Sequence, residues 1–400
     1  MTAQQRRGVR HLAVAIALVL ACRGREMSSP PPRASASTDP RAVAPSPPPD
    51  AVPEIPGPPL QLPPGVDDVS AMLTPIRHER GLPALGAAAW KDGKLVAIGM
   101  SGLRDASDPR SWVRLDDAWH LGSDTKAMTA TLVGIFVERG VLHWDDTVGK
   151  LFAGETIDPG YAKVTVDELL EHRGGAPGTY PPDLWAKLTE LGDAPDALQT
   201  AVKDLLARPP AHSPGTFEYA NAGYMIIGAA LERRTNRSWQ DLMKKELFAP
   251  LGMASCGFGA PTDGPRGHQT QLGTLVAIPP GPAADNPPGL GPAGTVHCSL
   301  ADWGKFLVLH TEGGSLLRNE TLVHLHAAPA GGDYAAGWLV AERSWGGGTV
   351  YTHSGSNTMW FATAWLAPQK HLVIAAVTNV GDAAVALDAA IKGLLERQAK

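Results

Sequence analysis

Cysteine is scarce, with three in 400 residues. Cys22 lies near the N-terminus, and Cys256 and Cys298 are too few for the disulfide framework of a small secreted scaffold. No Cys/His spacing matches a zinc site. The "HLH" at 324–326 lacks nearby carboxylates or a third His and is expected on a helix surface, so neither metal nor cofactor is implied. A membrane-spanning run is also missing at the N-terminus: the apolar "LAVAIALVLAC" that comes after Arg6, Arg7, Arg10 and His11 is too short to cross a bilayer. Basic charge is not in excess, with 35 Lys and Arg against 40 Asp and Glu, which argues against a nucleic-acid partner.

The basic start and short apolar run have the form of a secretory signal over residues 1–21. Its end, "VLAC", resembles the lipobox of bacterial lipoproteins, with Val19 where Leu is usual; that resemblance implies a lipidated Cys22, a membrane anchor and an exported protein. Removing residues 1–21 takes away three Arg and no acid, moving the formal charge from −5 to −8. Residues 22–65 are dominated by Pro, Ala and Ser, without helical or strand periodicity. They are expected to form a tether reaching on the order of 100 Å at about 3 Å per residue. Residues 66–400 are expected to fold as one domain; 44% apolar residues suffice for a sizeable core.

Strand signals stand at both ends of that domain. "LGAAAW" and "KLVAIGM" flank an Asp-Gly turn and predict a hairpin over 85–100. "YAAGWLV", "GTVYTH", "MWFATAWLA" and "HLVIAAVTN" predict further strands, and "GDAAVALDAAIKGLLERQ" a closing amphipathic helix. These signals predict an α+β fold, with an antiparallel sheet built from both chain ends, flanking helices and a mostly helical insert. Within the insert, Thr165, Ser238 and Ser299 each precede an acid by three residues, a helix-capping signal. "IPPGPAADNPPGLGPAG" at 278–294 is expected as surface loop framing a cleft.

The chain's one Ser-x-x-Lys lies in "GSDTKAMTA". Met128, Leu132, Ile135 and Phe136 recur at helical spacing and Gly140 ends the run, which puts Ser123 at a helix start with Lys126 on the same face. Two readings fit that stretch alone: a capping Ser with a solvated Lys, or a nucleophile whose base is one turn away, near the free N–H groups of a helix N-terminus. Tyr219 and Asn221 precede another apolar helix, and "HSGS" (His353, Ser354, Gly355 and Ser356) ends a strand.

In this order, Ser-x-x-Lys, Tyr-x-Asn and His-Ser-Gly resemble the three signatures of the serine β-lactamase and penicillin-binding protein superfamily, most nearly its class C branch with D,D-peptidase and esterase members. "VERGVLHWDDTVGKLF", "VDELLEHRGG" and "AGTVHCSLADWGKFL" resemble the connecting segments, so the likeness runs from about Val66 to near the C-terminus. It implies a serine hydrolase working through an acyl-enzyme on an amide or ester, with a small molecule or peptide as substrate, such as a peptidoglycan stem peptide. The alternative is a penicillin- or peptidoglycan-binding protein with negligible turnover.

By that resemblance Ser123 attacks, Lys126 takes its proton or holds a neighbouring phenolate, and Tyr219 serves the leaving group and the deacylating water. Asn221 holds Lys126 and the substrate, or caps its helix. His353, Ser354, Gly355 and Ser356 line the substrate side, with the N–H groups of Ser123 and Ser356 as oxyanion donors. His353 stands where β-lactamases carry Lys, which favours peptidase or esterase over β-lactamase activity. Asn357 and Trp360 replace small residues and are expected to narrow or polarise the cleft. His172 is expected to be structural.

Overall fold

The computed structural model describes residues 57–398. The hairpin forms as expected: β2 (Ala84–Lys91) and β3 (Lys94–Gly102) come after a two-residue strand β1 (Asp67–Asp68) and are joined by Asp92 and Gly93, both at positive φ. That turn suits the twist of a tight hairpin. Three short strands come next, β4 (Ala118–His120), β5 (Gly257–Phe258) and β6 (His268–Gln271), then β7 (Thr274–Ala277) and β8 (Val296–Ser299). The C-terminal strands are β9 (Leu339–Arg343), β10 (Gly348–Ser356), β11 (Phe361–Ala367) and β12 (Leu372–Thr378). The main sheet runs β1-β3-β2-β12-β11-β10-β9, antiparallel except for β1 on β3. β2 pairs with β12 from Leu85↔Thr378 to Lys91↔Leu372, which joins the two chain ends in one sheet.

Six helices frame the sheet and the cleft beside it: α1 (Ser70–Glu79), α2 (Thr125–Glu138), α3 (Asn221–Thr235), α4 (Leu300–Glu312), α5 (Asn319–His326) and α6 (Ala384–Gln398). α1 and α6 pack on the sheet and on each other, and α4 packs on β2, β11 and β12. β2 and β12 are buried almost throughout, which is why their sequences are continuous small and apolar runs without alternation. The approach of α4 needs a glycine, since a Cβ on Gly304 would lie 2.0 Å from the Trp90 ring. α2 is buried on every side from Thr125 to Phe136, as an all-round apolar helix must be.

The capping signals hold. Thr165 makes a full capping box with Glu168, while Ser238 and Ser299 accept from Asp241 N and Asp302 N. Three expectations do not hold. "YAAGWLV" becomes strand only from Leu339, because Gly337, at φ +83°, runs its backbone against α2, where a Cβ would meet Ala127 Cα at 2.5 Å. The end of the 278–294 stretch is not surface: Gly291–Gly294 is a buried helical turn packed between α2 and α3. In "HLH", His324 is half-buried, stacked on Trp144 and bonded to Asp167, whereas His326 pairs with the buried His310 on α4. Cys256 and Cys298, too few for a framework, form a single disulfide among the described residues, which ties β8 to the start of β5. Cys22 and residues 1–56 lie outside the described residues.

Candidate active site

β4 delivers the chain into a tight 3-10 turn, Gly122–Asp124, that leads directly into α2. Gly122 sits at φ +52°, and a Cβ there would lie 2.3 Å from Ser356 N. A Cβ on Gly355 would in turn lie 2.0 Å from Leu121 O and 2.5 Å from Ser123 N. The Ser123 turn and the end of β10 therefore touch backbone to backbone, an approach that two facing glycines permit. Among the described residues that edge of β10 has no strand partner beyond Thr352, where its pairing with β9 ends.

Four sequence-selected residues converge at the turn. Lys126 Nζ is fully buried, 3.0 Å from Ser123 Oγ, 2.7 Å from Asn221 Oδ1 and 2.8 Å from Ala293 O. The Tyr219 phenol hydrogen-bonds Ser123, and Lys126 Nζ lies 4.8 Å from its ring centroid. Burial pushes the Lys126 amine well below the ordinary lysine range, against the smaller opposite pull of Asp124. Burial pushes the Tyr219 phenol up, against the effect of its hydrogen bond with Ser123, and Asp124 adds to the rise. Both shifts favour the uncharged forms, the free amine of Lys126 and the phenol of Tyr219.

Asn221 does not cap α3. It is the first helical residue, Ala220 occupies the N-cap, and the amide oxygen is spent on Lys126. His353 is 4% exposed, with Nε2 3.1 Å from Tyr334 Oη and Nδ1 3.6 Å from Asp124 Oδ1. Ser354 pairs its hydroxyl with Thr363 on β11, and the Ser356 hydroxyl donates to Gly381 O. Asn357 and Trp360 neither narrow nor polarise the cleft by an exposed side chain. Asn357 caps the β10–β11 turn, accepting from Met359 N and Trp360 N, while Trp360 is buried, donates to Pro265 O and stacks on His120.

Sequence reasoning passed over Ala293, His120 and Asp124, and named His172 only as structural. Ala293 O contributes to the Lys126 cradle through its main chain, which no side-chain motif announces. His172, at φ +60°, accepts from Ala220 N through Nδ1, and its carbonyl accepts from Glu218 N, so it holds the main chain on both sides of Tyr219. Its ring packs 4.2 Å from that of Tyr219, centroid to centroid, and burial keeps it neutral. His120 accepts from Gly122 N, with Nε2 2.8 Å from Asp285, which fixes the entry to the turn. Asp124, next to the nucleophile, is buried with no other group paired to it than His353 among the described residues.

A helical insert and a two-ended antiparallel sheet meeting at a buried Ser-Lys-Tyr cluster define a serine hydrolase of the β-lactamase and penicillin-binding protein class. A family model described as Beta-lactamase matches residues 69–396, and the chain belongs to that family. Penicillin-binding protein 4 of Amycolatopsis lactamdurans is 28% identical over 325 residues, 76% of this chain and 83% of that protein. Among solved structures, the octameric penicillin-binding protein homologue of Pyrococcus abyssi superposes with a TM-score of 0.67 at 24% identity, over 82% of this chain and 76% of that one. The class C β-lactamase of Rhodobacter sphaeroides gives 0.65 at 20% identity, over 82% and 97%. At these identities the two structures speak to the fold.

Proposed function

We propose that the protein hydrolyses an amide or ester through an acyl-enzyme on Ser123, with a D,D-peptidase-like peptide or a small ester as substrate. The observation that carries this reading is the Lys126 cradle. Asn221 Oδ1 and Ala293 O are acceptors, so they take two N–H bonds. A neutral amine has two N–H groups and one lone pair, and the lone pair is then left for Ser123, 3.0 Å away. Lys126 removes the Ser123 proton as Oγ bonds the carbonyl carbon. The oxyanion is received by the N–H groups of Ser123 and Ser356. As the bond to the leaving group breaks, Tyr219 gives its proton to that group and is reprotonated through Lys126. Water then attacks the ester, losing its proton along the same path, and Ser123 is released. Asn221 orients Lys126 and the substrate's acyl amide, and the β10 edge from His353 to Ser356 carries the rest of the substrate.

Export and anchoring through Cys22 belong to the same proposal. The Cys256–Cys298 disulfide supports it, because such bonds persist in oxidising compartments outside the cytoplasm.

The test is intact-mass analysis after exposure to a fluorophosphonate and, separately, to a labelled penicillin, then a panel of small esters and D-Ala-D-Ala peptides. Wild type should gain one adduct and Ser123→Ala none, with both melting alike. Equal labelling of the two proteins would sink the mechanism.

A further inference from the structure

The two basic side chains beside Ser123 are already engaged by the protein. Lys126 Nζ is turned to Ser123, Asn221 and Ala293. His353 faces Tyr334 through Nε2 and Asp124 through Nδ1. The His353 and Asp124 side chains are 5% and 3% exposed, so water does not screen them from each other. With Nε2–H donated to Tyr334 Oη, one further proton shared between Nδ1 and the Asp124 carboxylate leaves the pair with zero net charge, on whichever of the two it sits. Burial pushes the Asp124 carboxyl up and His353 draws it back, consistent with that sharing.

The pair is ringed by groups that do not supply another free cation. Tyr219 and Tyr334 are phenols pushed up by burial, and His172 is held neutral. Lys126, one turn along α2, is held towards its neutral form.

We propose that Asp124 is a specificity-determining residue: by cancelling the charge of His353 it denies the cleft a cation, and so selects substrates that are neutral where they meet the β10 edge. This rests on the serine-hydrolase reading above and narrows its substrate class to esters and amides in preference to compounds with a free carboxylate at that end. A carboxylate entering this site loses water and finds no counter-charge, whereas its methyl ester pays no such cost.

The experiment uses a thioester carrying a free carboxylate on its leaving group and the same compound methylated at that carboxylate. The readout is the ratio of kcat/KM for the two. Wild type should favour the methylated compound. Asp124→Asn keeps the shape and removes the compensating charge, so the ratio should move towards the carboxylate by about tenfold, the size expected of one charge-assisted contact. A change below threefold, or one towards the methylated compound, overturns the proposal.

Thermal melting reports whether Asp124→Asn folds. Should it not fold, Asp124→Ser, which also removes the charge, takes its place with the same threshold: a ratio moved less than threefold, or towards the methylated compound, overturns the proposal. Fluorophosphonate labelling of wild type against Ser123→Ala runs alongside. Absence of Ser123 labelling would mark failure of the hydrolase reading itself, whereas labelling with unchanged ratios would refute only the role of Asp124.

Discussion

Removing the Lys126 amine takes the proton acceptor from Ser123 and leaves Asn221 Oδ1 and Ala293 O facing an empty buried space. Lys126→Ala should therefore lower kcat/KM by roughly a thousandfold, nearly as much as Ser123→Ala, because groups that act as a unit are not additive. Steady-state kinetics on any active ester checks it. Since the working form is the neutral amine, kcat/KM should rise with pH through the depressed Lys126 titration and be lost as the pH falls through it. Gly355→Ala tests the close backbone approach. Its Cβ would collide with Leu121 O at 2.0 Å, so β10 must back away from the Ser123 turn. Activity should drop about a hundredfold while the thermal transition survives, since displacement of that order in an active site is costly without unfolding it. An unaltered rate would mean that the two backbones need not touch for turnover.

Between α2, α4 and α5 runs a chain of donors: His326 Nε2 to His310 Nδ1, His310 Nε2 to Thr131 Oγ1, and Thr131 Oγ1 to Ala127 O. The order requires His310 to be neutral, since its Nδ1 accepts while its Nε2 donates, and burial indeed lowers His310 well below its ordinary value and His326 to about 4. Folded-state pKa values below the unfolded ones mean that the unfolded chain takes up protons first. Stability is complete above about pH 6.5 and falls as the pH drops towards 4, by roughly 3 kcal/mol for His326 alone. Urea midpoints at pH 7 and pH 4.5 should thus diverge in wild type and diverge less in His326→Gln, where the buried His310 and His172 still titrate. The "HLH" spacing could not disclose this, because burial of His326 depends on contact with His310, on a separate helix. The same contrast holds elsewhere. Ser123, Lys126, Tyr219 and Asn221 were legible because their chemistry is written in side chains at fixed spacing, and the 84–102 hairpin because Asp-Gly marks its turn. Ala293 was not, since a main-chain carbonyl has no residue signature and Pro-Gly-rich stretches look alike whether exposed or buried. Tyr334 lay in a segment with strand-like composition that tertiary contact with α2 holds out of the sheet.

For the molecule as a whole, the Cys256–Cys298 bond closes a loop with a sequence separation of 42. On a chain-entropy basis that contributes about 4 kcal/mol, which reduction or Cys298→Ala should remove, as read from the denaturation midpoint with and without reductant. Under the proposed anchoring, Cys22→Ala should shift the enzyme from the membrane fraction to the soluble one; retention on the membrane to the same extent would speak against lipidation. The order of the main sheet carries a further consequence. β12, the last strand made, lies between β2 and β11, near the middle of the sheet. A growing chain contains Ser123 and Lys126 long before it contains the strand that brings β10 and Ser356 up against them. Under the proposed mechanism Ser123 therefore stays without the Ser356 N–H as its companion oxyanion donor until β12 has been made and has joined β11 to β2, and a reagent that reports on Ser123 counts molecules in which that sheet is closed.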